Sequence, residues 1–396
     1  MQIRTLSTAL NLPNQTLLFD LDELYGVLRG IKDRRGKQGR QYPLAEILLI
    51  GVLAKLTGQT SSRAMADWAK LRSQELHHLF HLRHAKMPHY STWSRIMGQA
   101  VDPDELERVL GQFFGRDLAI VTQPGQRHIC LDGKTLRGTI PLGESQGVHL
   151  LAAYLPREGV VLAQVQVKTV GNEITAAPAL LATLDLRGAV VSGDANFAAR
   201  PLSEKILRAK GDYLWVIKEN QSQMYQDIQL LFTPQQSRPG WSAPPMDFRG
   251  AVSEDQGHGR QERRQITVSS LLAGYSLWPG LSQVFQLERS RTNALGKMEQ
   301  ETAYGITSLP NSTGTPQRLL DLVREHWQIE NGLHYRRDRT FREDDSQLRM
   351  GHAPQVLAIL NNTAWGVFAH QGETNLPHAQ RTFAYQFDRA LARLAS

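Results

Sequence analysis

After Gln123-Pro124-Gly125 the hydrophobic period of the chain changes from helical to strand-like, and this switch restricts the fold more than any other feature. Arg127 to Asp132 (RHICLD) reads as a short strand ending in a Gly133-Lys134 turn. His149 to Leu155 (HLLAAYL) is a second strand, and Pro156-Arg157-Glu158-Gly159 turns the chain into a third, Val160 to Val167. Asn172 caps the helix EITAAPALLATL. Ala189 to Asp194 (AVVSGD) is a buried-type strand ending in a carboxylate. A helix from Ala198 to Lys210 stops at Gly211, Asp212 to Lys218 (DYLWVIK) is a fifth strand, and Gln221 to Phe232 is a further helix.

The order is β-β-β-α-β-α-β-α, so the fold class is mixed α/β. Three antiparallel strands followed by strand–helix alternation is the order of a ribonuclease H-like core. In that order the first and fourth strands are neighbours, and the carboxylates at their ends, Asp132 and Asp194, can meet. Each residue alone has an ordinary reading: Asp-Gly after a strand is usually a turn, and an Asp at a strand end can cap a helix. The shared position is what makes them candidates.

Upstream, residues 1–120 read as an all-helical N-terminal domain. A basic link carries Lys32, Arg34, Arg35, Lys37 and Arg40, and Pro43 starts LAEILLIGVLAKLTG. Short helices with basic joints suit helix-turn-helix DNA binding, with Tyr90, Thr92 and Arg95 as candidate groove contacts. A helical bundle with a solvated basic loop is the plainer alternative.

Residues 121–232 are then the first part of the core. Residues 233–315 read as a Pro/Gly/Ser/Gln-rich linker leading into a β-rich insertion, with QITVSS, SQVFQLERSR and ETAYGITSL as strand-like segments. Residues 316–375 return to the core, and 376–396 read as a loosely packed tail. The returning segment holds His326-Trp327-Gln328-Ile329-Glu330-Asn331 and its continuation to Asp345. Read as one helix, it puts His326, Glu330, His334 and Arg337 on a shared face. Arg336, Arg337, Arg339 and Arg342 follow closely, and a carboxylate amid cations suits metal ions and phosphate.

Composition narrows the chemistry. The 396 residues are 41% hydrophobic and 21% charged, and their net charge of +7 favours a polyanionic partner. The longest apolar run, Ile47 to Ala54, is too short to span a bilayer, and no secretory signal is visible at the N-terminus. The single Cys130 excludes an internal disulfide and fits a reducing cytoplasm. A zinc site on His326, Glu330 and His334 fails on spacing. Eight helical residues separate the histidines by roughly 12 Å, and zinc–nitrogen bonds are about 2 Å. Three carboxylates, Asp132, Asp194 and Glu330, instead suit Mg²⁺, which keeps waters and accepts phosphate oxygens.

LDGKTLRG, GNEI, LDLRGAVVSGDA, DYLWVIKENQ, HGRQERR and HWQIENGLHYRRDRTFRED occur in that order. Together they resemble the H-repeat-associated (Rhs-element) family of DDE insertion-sequence transposases, from about Tyr42 to Thr363. The resemblance implies that Asp132, Asp194 and Glu330 are the catalytic, metal-binding triad. It also implies Mg²⁺ (Mn²⁺ can substitute) and a ribonuclease H-like core with a β-rich insertion before the last acid. Cleavage at element ends and strand transfer into target DNA follow from it. The partners are then double-stranded DNA, as terminal inverted repeats and target, and a second copy in a synaptic homodimer. A bacterial, nucleoid-associated cytoplasmic protein with no membrane partner is expected.

Related hairpin-forming transposases place Tyr and Arg before the catalytic Glu and Lys after it; here those offsets hold Val323, His326 and Arg337. Lys134, Lys218, Arg260, Arg263, His326 (when protonated) and Arg337 are the candidate phosphate contacts. Glu173 is a candidate auxiliary acid, although capping alone favours a Glu there. Glu343, Asp344 and Asp345 are rivals for the third acid, with a flexible acidic turn as the simpler reading. Trp215, Trp278 and Trp327 could stack on a flipped base, with core packing as the commoner role. A nuclease or domesticated derivative without joining activity, and a DNA-binding protein with a silent core, are the alternative functions.

Overall fold

The computed structural model describes residues 21–82, 84–121, 127–168, 172–233, 247–257, 260–292, 297–388 and 391. Residues 234–246 of the expected linker, and His258-Gly259 of the HGRQERR segment, lie outside them. The helices are α1 (Leu21–Arg29), α2 (Leu44–Leu56), α3 (Ser62–Leu71), α4 (Ser73–Phe80), α5 (Tyr90–Arg95), α6 (Pro103–Val121), α7 (Glu173–Leu181), α8 (Arg200–Arg208), α9 (Ser222–Phe232), α10 (Pro316–His326), α11 (Tyr335–Arg339), α12 (Ala353–His370) and α13 (Leu376–Tyr385). The strands are β1 (Arg127–Thr135), β2 (His149–Leu155), β3 (Val160–Val167), β4 (Ala189–Gly193), β5 (Asp212–Ile217), β6 (Arg249–Gly257), β7 (Arg260–Ser269), β8 (Gln283–Thr292) and β9 (Met298–Thr307). A helical N-terminal region therefore precedes a mixed α/β region. Among the described residues no helix is long and apolar enough to cross a membrane.

Two compact units divide the chain. One comprises Met1–Val121, Gly133–Asn172 and Glu330–Ser396; the other comprises Thr122–Asp132 and Glu173–Ile329.

In the second unit the strands run in the order β1-β4-β5-β9-β8-β7-β6. β1, β4 and β5 are parallel, and every later pair is antiparallel. β6 to β9 thus extend the same sheet through β9, which pairs with β5. All of β4 is buried, as its unbroken apolar run requires. Thr315 starts α10 by accepting the Arg318 amide hydrogen on its hydroxyl, and Pro316 fits the first turn. Leu319, Leu320, Leu322 and Val323 then bury one side of α10 against Val190, Leu214, Ile266, Val268 and Phe285. Fully burying such a side chain contributes about 1.5–3 kcal/mol, so this face fixes the helix on the sheet.

In the first unit β2 and β3 form an antiparallel hairpin, turned at Gly159 with φ +71°. Hydrophobic residues surround both α2 and α12, and both helices are buried along nearly their whole length. α12 packs on α2, α6 and β3. The backbone of α6 approaches β3 so closely that a Cβ at Gly111 would meet the Leu162 carbonyl oxygen at 2.0 Å.

Three expectations change. β1 does not turn at Gly133-Lys134 but continues to Thr135, whose hydroxyl meets His149 Nδ1 at 2.7 Å. The segment from His326 is not one helix: α10 ends there, Ile329–His334 is π-helical, and α11 follows. A wider π turn breaks the spacing that would align His326, Glu330, His334 and Arg337 on one face. The last stretch is not a loose tail. Leu376, Ala379 and Phe383 recur at helical spacing and are buried in α13, and Phe387 sets its ring edge-on to Trp68.

Candidate active site

The carboxylates of the second unit belong to two paired segments. Cys130 of β1 is the partner of Ser192 of β4. Two residues further along each segment stand Asp132, still inside β1, and Asp194, one residue past the end of β4. The Cys130 Sγ and Ser192 Oγ atoms lie 3.6 Å apart. Asp132 and Asp194 are both half-buried.

Asp194 closes an Asx turn. Its Oδ1 accepts the Asn196 amide hydrogen at 2.9 Å, and Oδ2 accepts from Asn196 Nδ2 at 3.2 Å. Burial nevertheless raises its pKa, the backbone amide of Asn196 opposes that, and the charge of Glu173 adds to the rise. The exposed Lys218 pulls the other way. Glu173, at the first turn of α7, is therefore electrostatically coupled to Asp194 as well as placed for the helix dipole.

Glu330 belongs to the first unit, where it is exposed in the π-helical segment. Among the described residues no three His, Cys, Asp or Glu side chains converge as a metal cage. The acids present do fit Mg²⁺, which commonly binds through one or two carboxylates with waters and substrate phosphate oxygens. Asp194 supports the fit, because a nearby cation would offset both its desolvation and its repulsion from Glu173.

The expected phosphate contacts divide sharply. Lys218 and Arg263 are exposed, Arg263 beside Glu254 at 3.3 Å. Arg260 begins β7. Lys134 is buried, bridging Asp338 at 2.6 Å and Asp344 at 3.4 Å. Arg337 is only 1% exposed, donating to Glu343 at 2.7 Å and Gln164 at 3.0 Å. Its guanidinium is held inside the protein, so it is not presented to a phosphate as the spacing to Glu330 led us to expect. Nor does the protonated His326 hold: burial and neighbouring His128 push its pKa down to about 3, so it is neutral.

The other arginines of that segment are largely engaged too. Arg336 stacks over Trp365 at 4.0 Å and Arg342 pairs with Asp345 at 2.7 Å, leaving Arg339 exposed. Glu343, Asp344 and Asp345 are all tied by ion pairs, so they form a fixed turn rather than a flexible one. Trp215 and Trp278 are core residues, both donating to Ser203 Oγ, at 3.0 and 3.2 Å. Trp327 is 36% exposed beneath Arg289, whose guanidinium lies 4.2 Å from the ring centroid.

In the helical region Tyr90 and Arg95 are exposed on α5, with Thr92 half-buried between them. Arg63 lies over the Tyr90 ring at 4.7 Å, and Arg95 reaches Thr92 Oγ1 at 3.3 Å. These residues form one surface carrying two cations and an aromatic ring.

Comparison with known proteins decides the family. The Transposase DDE domain family matches residues 123–366, and the DDE_Tnp_1-associated family matches residues 25–114. The chain belongs to the H-repeat-associated family of DDE transposases. The H repeat-associated protein YhhI of Escherichia coli (strain K12) is 25% identical over 357 residues, covering 89% of this chain and 91% of YhhI. An uncharacterized protein in the dhlA 3′ region of Xanthobacter autotrophicus is 31% identical over 281 residues, covering 69% of this transposase-family chain and 90% of its own length. The piggyBac transposase in its synaptic complex with hairpin DNA aligns with 96% of this chain and 82% of its own, at 13% identity and a TM-score of 0.41, a likeness that decides nothing.

Sequence reasoning missed the buried polar groups behind the acids. Glu325, His128 and Ser192 are hydrogen-bonded in series to His326. The signal was present as two polar residues, His128 and Ser192, inside otherwise apolar strands.

Proposed function

We propose that this chain is a DNA transposase that cuts at the ends of its element and joins the freed 3′-ends to target DNA. The reading takes Asp132, Asp194 and Glu330 as its metal-binding acids on a ribonuclease H-like core. The observation that supports it best is the parallel pairing of β1 with β4, the strands that lead to Asp132 and Asp194, inside the segment matched by the DDE domain family.

Asp132 and Asp194 would hold Mg²⁺, with Glu330 as the third acid. When bound, Mg²⁺ activates a water or 3′-hydroxyl for attack on a phosphodiester and stabilises the leaving oxygen. The chain's own residues position the reactants. Asn196 orients both oxygens of the Asp194 carboxylate. Glu173 adds negative charge beside it and so favours a cation there. Lys218 offers an exposed ammonium near Asp194 for a phosphate oxygen, the exposed Arg263 of β7 offers a guanidinium, and Arg260 is kept as a candidate phosphate contact. Lys134, His326 and Arg337 take structural parts instead. Tyr90, Thr92, Arg95 and Arg63 are proposed to contact element-end DNA, with a homodimer bringing two ends together.

The purified chain, incubated with labelled element-end DNA and Mg²⁺ (or Mn²⁺), tests this. Cleavage followed by joining to a second duplex is the expected result. Cleavage alone would indicate a nuclease or domesticated derivative, and binding alone a DNA-binding protein with a silent core.

A further inference from the structure

Four side chains of the second unit form a hydrogen-bonded series leading to the last residue of α10. Glu325 Oε2 lies 3.0 Å from His128 Nδ1. His128 Nε2 lies 2.8 Å from Ser192 Oγ, and Ser192 Oγ lies 2.9 Å from His326 Nδ1. His128 is 2% exposed and Ser192 is fully buried, while Glu325 and His326 at the two ends are half-buried. Cys130 adds a weak contact, its Sγ 3.6 Å from His128 Nε2.

The polarity of the series follows from the atoms at each step. An ionised carboxylate only accepts, so Glu325 receives the proton on His128 Nδ1. With His128 neutral, its lone pair at Nε2 accepts the Ser192 hydroxyl hydrogen; a cationic His128 would reverse every later bond in the series. Ser192 has one hydrogen to donate, and it is now committed. At 2.9 Å the contact between Ser192 Oγ and His326 Nδ1 is a hydrogen bond only if His326 Nδ1 carries the proton. Neutral His326 is thereby left with its lone pair on Nε2.

We propose that Glu325, a neutral His128 and Ser192 are positioning residues that lock His326 as the neutral Nδ1–H tautomer, so that its Nε2 is a hydrogen-bond acceptor and not a phosphate-gripping cation. The series also ties α10 to β1 and β4, four residues before Asp132 on β1 and two before Asp194 on β4. Glu330 follows His326 by four residues in the chain. One hydrogen-bonded series thus fixes the proton on His326 and ties α10 to the two strands that lead to Asp132 and Asp194. An acceptor at Nε2 suits a water, a hydroxyl or an amino group of a base edge, and disfavours a phosphate oxygen. The catalytic part of this inference rests on the transposase reading; the tautomer does not.

Two-bond ¹H–¹⁵N correlation on the full chain labelled at histidine tests the lock without any activity, with His326→Gln identifying the signal. The expected result near neutral pH is a protonated Nδ1 and an unprotonated Nε2 at His326. A protonated Nε2, alone or with Nδ1, would overturn the proposal. Ser192→Ala should release the lock, giving a mixed or inverted tautomer with the circular dichroism spectrum unchanged; an unaltered His326 signal would also overturn it. DNA binding supplies a separate arm. His326→Gln should leave the slope of log affinity against log salt unchanged, whereas loss of a phosphate-gripping cation would reduce it by about one. If the chain cleaves DNA, Ser192→Ala should lower kcat about tenfold with KM unmoved, the usual scale for residues that orient a site ligand. A silent chain would defeat the transposase reading while the tautomer result still stood.

Discussion

Arg337 Nε donates to Glu343 Oε2 at 2.7 Å, and both side chains are sealed from solvent. Gln164 accepts from Arg337 Nη1 at 3.0 Å, and Asn361 donates to Glu343 Oε1 at 2.9 Å. The pair is therefore desolvated and hydrogen-bonded through Nε and Nη1, with Arg337 Nη2 buried without a partner among the described residues. Arg337→Met should destabilise the fold by about 3–5 kcal/mol, because Glu343 would be left as a buried, unpaired charge. The double variant Arg337→Met, Glu343→Leu should recover most of that loss. Denaturant unfolding of the single and double variants measures both, and a single variant as stable as the wild type would remove the ion pair from the account.

The same buried region holds Glu107, pushed up to about 8 by burial, with the charge of Arg337 opposing the shift. An ordinary Glu titrates near 4.3. Between those values the folded chain keeps the proton while the unfolded chain has lost it. Stability from this group is complete below about pH 4.3 and falls as pH rises toward 8. Glu107→Gln should therefore match the wild type at low pH and exceed it in unfolding free energy at pH 8. A pH-independent difference between the two would contradict the assignment.

Lys55, fully buried and donating to the Thr60 carbonyl at 3.0 Å, is shifted down to about 7 by burial, with Glu343 opposing. Its sign is opposite to that of Glu107. The unfolded chain holds this proton up to about pH 10.4, so stability rises with pH from about 7 upward. Lys55→Met should be more stable than wild type at pH 6, with the advantage shrinking as pH approaches 10. Unfolding midpoints at a series of pH values check it.

How far the sequence disclosed the molecule can be judged from particular residues. The strands were legible because apolar runs such as AVVSG and HLLAAYL have no solvated face. Asp132 and Asp194 stood out as candidates because each follows such a run. The region after His326 was not, because a π turn at Ile329–His334 changes which residues share a face without changing composition. The fates of Lys134 and Arg337 were also hidden. Their partners, Asp338 and Asp344 for one and Glu343 for the other, are set by tertiary packing, which no local pattern of charge reveals.

Asp194 makes the metal testable apart from chemistry. Its carboxyl is raised, so its ionised form weakens the metal-free fold above the pKa it has in the folded chain, and this cost vanishes at low pH. Asp194→Asn should raise the melting temperature of the metal-free protein at pH 7 but not at pH 3. Added Mg²⁺ should stabilise the wild type and leave Asp194→Asn unmoved. Equal Mg²⁺ stabilisation of both would remove Asp194 from the ligand set.

Arg63 of α3, with Tyr90 and Arg95 of α5, predicts a DNA-contacting surface. Arg95→Ala and Arg63→Ala should each lower affinity for element-end DNA and reduce the salt slope by about one, if each meets a phosphate. Filter-binding isotherms at several salt concentrations would show this, and unchanged slopes for both would move the DNA surface elsewhere.

The central claim is that Glu330 completes the acid set with Asp132 and Asp194. Single-turnover cleavage of labelled element-end DNA by Glu330→Gln, in Mg²⁺ and with DNA binding measured in parallel, tests it most directly. The account predicts that cleavage is abolished while binding persists. Cleavage at the wild-type rate would contradict it.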